Sequence, residues 1–177
     1  HIHDDKYRSM LATAVIESAP IIKDYVATRK PFRNFLIEYA NAASKTGLRS
    51  TAINSYASCI VLLQDDIWKD DILDVSYGET LQIFTSAAEC YLFQGQHNEA
   101  SHLLHAILSN ARNPVDKAPA WILQSRMLAQ LGDSTGAFNS LRECLMALDI
   151  TIDEDPTFPK CDKELRRLCE AVSAVQP

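Results

Sequence analysis

Three of the five glycines in this 177-residue chain stand in the same sequence context. An apolar run precedes Gly47, Gly95 and Gly132, and an alanine follows each of them five residues later. Glycine adopts the left-handed conformation that ends a helix without a Cβ clash, so each glycine predicts a break between two helices. Apolar residues then follow each alanine at spacings of four and three, which is one helical stripe: Tyr56 and Cys59, Leu104 and Ile107, Leu141 and Cys144.

A second apolar stripe precedes each glycine, with a large, a small and then a variable side chain: Leu36, Ala40 and Ala43; Phe84, Ala88 and Tyr91; Trp121, Ser125 and Leu128. The unit is therefore a pair of helices, and it recurs after 48 residues (Gly47 to Gly95) and again after 37 (Gly95 to Gly132). The segment "QDDIWKDDILDVSYGE" supplies the insertion that the longer interval needs. The alternative is a helical bundle without repeats, in which the glycines coincide by chance.

Repeats of this length, with an aromatic residue, a small residue, a glycine and an alanine at these offsets, resemble tetratricopeptide repeats. The copy "APAWILQSRMLAQLGDSTGAFNSLRECLMAL" matches best. The resemblance implies an all-α fold, a right-handed α-solenoid of antiparallel helix pairs with three repeats and flanking N- and C-terminal helices. We place the repeats at residues 31–150, after an N-terminal helical segment at 1–30. A proline-containing connector and a capping helix follow at 151–177, with one apolar face: Leu165, Leu168, Cys169 and Val172.

Charge and apolar patterning restrict the classes of partner. The net charge is −6, from 17 basic and 23 acidic residues, whereas nucleic-acid binding relies on Lys and Arg at phosphates, so we expect no nucleic-acid partner. No run approaches the roughly 18 uncharged apolar residues of a membrane span. The first ten residues lack the basic and apolar segments of a secretory signal, and we expect a cytoplasmic protein.

The five cysteines support the same compartment, because they are odd in number, widely spaced and without a Cys-x-x-Cys motif. This pattern predicts reduced thiols, most of them in the apolar core, rather than disulfides or a zinc site. The positions are Cys59, Cys90, Cys144, Cys161 and Cys169.

Candidate chemistry is weak throughout the chain. His102 follows a small residue on a predicted helix, as the phosphoacceptor of a histidine kinase does, but the acid, base and proline expected after it are missing. His97, His102 and His105 have no Cys or carboxylate placed to complete a zinc site. The acidic stretch 65–71 lacks the alternating acids and central glycine of a calcium loop. No phosphate-binding or nucleophile motif occurs, so we expect a non-enzyme without cofactor or metal.

A surface is what remains for function. The first helix of each pair lines the concave side of a solenoid, where a peptide or another domain of a longer chain could bind. Such a groove carries mixed charge and lacks the several Lys and Asn that hold a C-terminal carboxylate. A small-molecule pocket near Trp68 or Trp121 is a third possibility. The residues predicted to line the groove are Asn41, Ser44, Lys45, Glu89, Phe93, Arg126 and Gln130.

The order of segments resembles part of the hybrid sensor histidine kinases of fungi and bacteria. "IHDDKYRSMLATAVI" is similar to the helix that closes their ATPase module, although the family tends to have a basic residue soon after the Asp. "YANAASKTGLRSTAINSYASCIVLL" and "LQIFTSAAECYLFQGQHNEASHLLHAIL" are similar to their repeat region, and "LDITIDEDPTFPKCDKELRRL" to its exit segment. The resemblance implies a non-catalytic relay domain between ATPase and sensor or kinase modules; an independent cytosolic adaptor that binds a peptide or protein is the alternative.

Overall fold

The computed structural model describes residues 2–63, 67–71, 74–151, 157–160, 162–163 and 166, with side chains from residue 6 onward. Within these residues the chain is all-α and contains no strand, as the sequence predicts. No helix of this described part is long and apolar enough to cross a lipid bilayer. Its long helices are α1 (Ile2–Ile22), α2 (Val26–Lys45), α3 (Arg49–Val61), α4 (Tyr77–Phe93), α5 (His97–Asn110), α6 (Pro114–Gln130) and α7 (Ser134–Ala147).

Neighbours along the chain are also neighbours in space. Helix α2 packs on α3, α4 on α5, and α6 on α7, while α3 contacts α4 and α5 contacts α6. Helix α1 packs against α2 and α3, and α4 contacts α6 directly. Pro20 lies inside α1. Helix α2 begins at Val26 and has Pro31 in its second turn, so it runs across the predicted boundary between residues 30 and 31. The predicted capping-helix residues 165, 168, 169 and 172 lie outside the described part of the chain.

The three predicted glycine breaks form one type of turn. Gly47, Gly95 and Gly132 have φ values of +82°, +72° and +82°. In each turn the N–H after the glycine donates to a carbonyl five residues back, at 2.8 Å after Gly47, 3.0 Å after Gly95 and 2.9 Å after Gly132. This is the Schellman motif, in which glycine satisfies carbonyls that the helix end would leave unpaired. The positive φ explains why glycine occupies all three positions.

A fourth turn of this type closes α7 without a glycine. Asp149 has a φ of +58°, and the N–H of Ile150 donates to the Leu145 carbonyl at 2.8 Å. Aspartate tolerates the left-handed region better than most residues, because its short polar side chain can bond locally. The end of α7 is therefore built like the other three, although the sequence pattern does not indicate it.

Most residues of the predicted apolar stripes are buried in the core, but Leu141 is 40% exposed, and Tyr91, Trp121 and Leu128 are half-buried. Ala52 and Ala100 are fully buried and Ala137 is nearly so, which allows each second helix to approach its partner closely. One apolar cluster extends from α1 to α6, and a smaller one lies between α2, α3 and α4. Partly buried side chains at Ile60 and Tyr91 pack against both clusters. The two clusters thus meet through shared neighbours.

The insertion before α4 lies against the helices. The half-buried Trp68 ring contacts Phe84 edge-on, with ring centroids 5.2 Å apart, and lies 6.2 Å from Tyr77. Thr80 donates to the Ile67 carbonyl at 2.6 Å. Trp68 therefore packs over the start of α4. Among the residues described, no group of His, Cys, Asp and Glu could hold a metal ion.

Candidate functional site

The predicted groove residues occupy equivalent positions on α2, α4 and α6. Asn41, Glu89 and Arg126 each lie six residues before a turn glycine, and Lys45, Phe93 and Gln130 each lie two before it. Ser44, three residues before Gly47, is the one predicted residue without an equivalent in the other pairs. Because the three helices end in the same turn, equivalent positions point in equivalent directions from their helices. Five of the predicted residues are exposed, whereas Asn41 and Ser44 are half-buried. The exposed ones are Lys45, Glu89, Phe93, Arg126 and Gln130.

Asn41 is partly occupied by the protein itself. The buried Tyr56 hydroxyl donates to Asn41 Oδ1 at 2.6 Å. Burial raises the pKa of Tyr56, and the negative charge of Glu89 acts in the same direction, so this hydroxyl stays protonated and donates. This bond uses one of the two lone pairs of Asn41 Oδ1 and leaves the amide NH2 available to a partner. The sequence identified the position but not this internal hydrogen bond.

Ser44 and Phe93 are brought together by an arginine that the sequence analysis did not include. Arg49 donates to Ser44 Oγ at 2.6 Å, and its guanidinium lies 4.6 Å from the centroid of the Phe93 ring. Phe93 is 59% exposed, so one ring face stacks on the cation while much of the ring remains open to solvent. The end of α4 thereby rests on the turn between α2 and α3. Arg49 lies two residues after Gly47, a position that only the packed structure connects with Phe93.

Glu89 and Arg126 lie exposed on two helices in contact, α4 and α6. Within the described residues, no ion pair or hydrogen bond joins them. Both charges therefore remain available to a partner. The structure brings four of the predicted residues together around Tyr56 and Arg49: Asn41, Ser44, Glu89 and Phe93. Arg126 and Gln130 lie on α6 at the positions that correspond to Glu89 and Phe93 on α4.

The structure also contains a buried ion network that the sequence analysis missed. Arg33 is fully buried, and it bonds Asp74 Oδ1 at 2.8 Å, the Asp74 carbonyl at 2.6 Å and Glu79 Oε1 at 2.9 Å. Arg29 contacts the other carboxylate oxygen of Asp74 at 2.7 Å. Burial alone would lower the pKa of Arg33, but the two carboxylates outweigh it and raise the pKa above its ordinary value. Two first helices and the insertion are thus joined by buried charges.

A second, more exposed network joins the insertion to α6. Arg112, just before α6, pairs with Asp70 at 2.8 Å, and its guanidinium lies 4.0 Å from the centroid of the Tyr77 ring. The Tyr77 hydroxyl donates to Asp116 Oδ2 at 2.7 Å and accepts from the backbone N–H of Arg112 at 3.0 Å. The hydrogen bonds of Asp70 with the Tyr77 N–H and with Arg112 hold the pKa of its carboxyl below the ordinary value. The starts of α4 and α6 are therefore connected.

The histidines and cysteines of the described residues form no catalytic or metal-binding group. His102 and His105 are exposed, and His97 is half-buried with an Nδ1 that lacks a hydrogen-bond partner. Cys59, Cys90 and Cys144 are buried free thiols, in agreement with the prediction for these three. Burial raises the pKa of Cys59 to about 12, which suppresses the reactive thiolate. Cys161 and Cys169 lie outside the described residues.

A cavity is present, but away from the two tryptophans. It has a volume of about 400 Å³ and lies between α1 and the end of α2, next to Arg8, Tyr39 and Leu48. Trp68 and Trp121 are not among its lining residues, so this cavity is not the pocket suggested beside them.

Comparisons with protein-family models, with curated proteins and with solved structures found no match to this chain.

Proposed function

We propose that this chain is a non-catalytic helical-repeat module that binds protein and relays conformational change inside a cytoplasmic, multidomain signalling histidine kinase. In this proposal the three helix pairs stack as a right-handed α-solenoid. The groove on the first helices contacts neighbouring modules of the parent chain, an ATPase module on one side and sensor or kinase modules on the other. The module itself needs no cofactor.

One observation carries the interaction role. Side chains six or two residues before the turn glycines of α2, α4 and α6 combine two cations, an anion and a large exposed aromatic: Lys45, Arg126, Glu89 and Phe93. Aromatic and arginine side chains are enriched at protein interfaces and often supply most of the binding free energy. A catalytic or metal role has no comparable group of residues in the described part of the chain.

The packing supports the relay role. Schellman turns and buried alanines give each pair a defined geometry, and the Arg33 and Arg112 networks connect the starts of successive first helices. Close-packed elements joined in this way move as rigid bodies and transmit a shift at one end to the other. The histidine kinase context rests on the resemblance of the three sequence segments quoted above.

Two experiments test the proposal. The reading frame around this chain should encode a phosphate-binding loop upstream and a phosphoacceptor histidine box downstream. The flanking modules, produced separately, should bind this chain in calorimetry, and the double change Glu89→Ala and Arg126→Ala should weaken binding by about tenfold or more, as expected for interface anchors.

The matched control changes lie on second helices. Glu143→Ala on α7 and His102→Ala on α5 remove exposed polar groups outside the predicted groove and should leave the affinity unchanged. Equal affinity of the groove variant and the controls would exclude this surface as the contact. A reading frame without the two flanking modules would refute the relay and leave the independent adaptor as the function to test.

A further inference from the structure

The inward-facing stripe of α1 begins with a cation. Ala12, Val15 and Ala19 follow one another at spacings of three and four, and they are between 1% and 5% exposed because α1 packs there on α2 and α3. Arg8 lies four residues before Ala12 and therefore on the same face of the helix, yet it is exposed. An arginine thus occupies a position at which the rest of the stripe is apolar and buried.

Arg8 lines the cavity of about 400 Å³ between α1 and the end of α2. This volume falls within the roughly 300–1,000 Å³ of small-molecule sites. Arg8 is the only charged side chain among the described residues that line the cavity. It makes no ion pair or hydrogen bond within the described part of the chain. The cavity therefore has one positive charge that the protein itself does not neutralise.

Two further donors line the cavity. The hydroxyls of Ser9 and Tyr39 have no hydrogen-bond partner among the described residues. The Tyr39 ring lies nearly parallel to the Phe35 ring, with centroids 6.3 Å and planes 12° apart, which restricts its orientation. The Thr46 hydroxyl, by contrast, donates to two carbonyls of α2, both at 3.1 Å, so it keeps no proton for a ligand. The donors available to a ligand are a guanidinium and two hydroxyls.

The other end of the cavity is apolar. Ala42 and Ala43 line it at the end of α2, together with Leu48, which is 59% exposed. The C-terminal end of a helix carries partial negative charge, so a negative group is disfavoured there. A ligand with one negative and one apolar end would therefore place its negative group at Arg8 and its apolar part against the end of α2.

We propose that this cavity binds a small amphipathic carboxylate, such as a medium-chain fatty acid. The carboxylate pairs with the Arg8 guanidinium, which can bond both of its oxygens, and the chain lies against Ala42, Ala43 and Leu48. A phosphate monoester fits less well, because it carries nearly two negative charges at neutral pH and the cavity offers one cation. The site lies apart from the predicted groove, so this inference does not depend on the proposed function.

Isothermal titration calorimetry with octanoate tests the site in the whole chain. Octanoate should bind the unaltered protein, and Arg8→Gln should weaken binding by about tenfold or more, because a hydrogen-bonded charge pair is lost. The matched control is Lys6→Gln, which removes an exposed cation two residues away and therefore on another face of α1. The control should leave the affinity unchanged. No saturable binding at millimolar octanoate, or equal weakening by the two changes, would overturn the proposal.

Octanamide separates the effect of the charge from that of the chain. It has the same chain with a neutral head, so the unaltered protein should bind it about tenfold more weakly than octanoate. The variant Arg8→Gln should bind the two compounds with similar affinity. Equal affinity of the unaltered protein for octanoate and octanamide would contradict the role of Arg8.

Amide chemical shifts in NMR spectra locate the binding site. During a titration with octanoate, the largest changes should occur in residues 8–9 and 39–48. Ala42→Phe places a ring in the apolar end of the cavity and should weaken octanoate binding; Ala42 is exposed, so this change leaves the core intact. Unchanged binding by Ala42→Phe would refute the proposed site, as would the largest shifts beside Trp68 or Trp121.

Discussion

Replacing Asp74 by asparagine tests whether the buried ion network holds the insertion onto the helices. The change keeps the size of the side chain and removes its charge. Two guanidinium groups, Arg33 at 2.8 Å and Arg29 at 2.7 Å, would then lack their shared carboxylate, while Glu79 would remain with Arg33. Arg33 is fully buried and cannot reach water without movement of the insertion.

The magnitude follows from that burial. Breaking a buried ion pair by removing one partner costs about 3–5 kcal/mol, because the remaining charge is buried without compensation. We expect the lower end for Asp74→Asn, since Glu79 still pairs with Arg33 at 2.9 Å and asparagine still offers one acceptor oxygen. For a chain of this size each kcal/mol shifts the melting temperature by about 2–4 °C, so a loss of about 3 kcal/mol corresponds to roughly 6–12 °C.

Urea unfolding followed by circular dichroism, together with a thermal melt, measures the loss. The control is Asp70→Asn, which changes the same residue type in the same insertion but in an ion pair that is about half exposed on both sides. The loss there should be much smaller, because exposed pairs are screened by water and salt. Hydrogen exchange should also rise in residues 67–71 and 74–76 for Asp74→Asn only. Equal stability of the two variants would refute the argument that Asp74 compensates buried charge.

Three further predictions concern turns, packing and pH. Gly132→Ala should lower the free energy of unfolding by about 1–2 kcal/mol, because its φ of +82° is strained for alanine although no atom lies within 4 Å of an added Cβ. Asp149→Gly should raise the free energy of unfolding by about 0.5–1 kcal/mol, because glycine adopts a positive φ without strain. A higher urea midpoint for Gly132→Ala, or a lower one for Asp149→Gly, would contradict the turn assignment. Ala100→Leu should cost about 1–3 kcal/mol by overpacking a fully buried position, and an unchanged melting temperature would show that α5 is not in close contact there. Burial raises the pKa of the Cys59 thiol to about 12. The contribution of this thiol to stability is therefore complete below about pH 8.5, where the unfolded chain also keeps it protonated, and is lost as the pH rises through 12. In a series of urea midpoints against pH, Cys59→Ala should show a smaller decline at alkaline pH than the unaltered protein.

Helix ends and apolar stripes were predictable because they are local. Each glycine break depends on the φ of one residue, and each stripe on spacings of three and four, so Gly47, Gly95 and Gly132 were identified from the sequence. The end of α7 was not, since Asp149 has many other uses than a left-handed turn. Local chemistry therefore predicts the common form of a feature and misses its rarer form.

Long-range polar contacts were not predictable. Arg33 lies in a helix whose sequence does not mark it as buried, and its partner Asp74 is 41 residues away in the insertion. Arg49 likewise meets Phe93 only when α4 packs on the turn before α3. The residues predicted to line a groove lie on α2, α4 and α6, but the sequence could not show that Tyr56 and Arg49 already bond Asn41 and Ser44.

The charged contacts of the insertion make the two edges of the helix stack unequal. At the edge where the first helices begin, Arg33 reaches Glu79 of α4, and Arg112 before α6 reaches Asp70 of the insertion. At the opposite edge, where the glycine turns lie, the contacts are weaker and include no ion pair among the described residues: the Arg49 guanidinium stacks on Phe93, and Gln94 donates an exposed hydrogen bond to Ser50. If adjacent helix pairs separate, separation at the edge of the glycine turns breaks the weaker contacts, so we expect the pairs to move apart at that edge first. We therefore expect a ligand that binds between these turns to change the angle between adjacent helix pairs. A ligand that binds at the edge where the first helices begin should change this angle little.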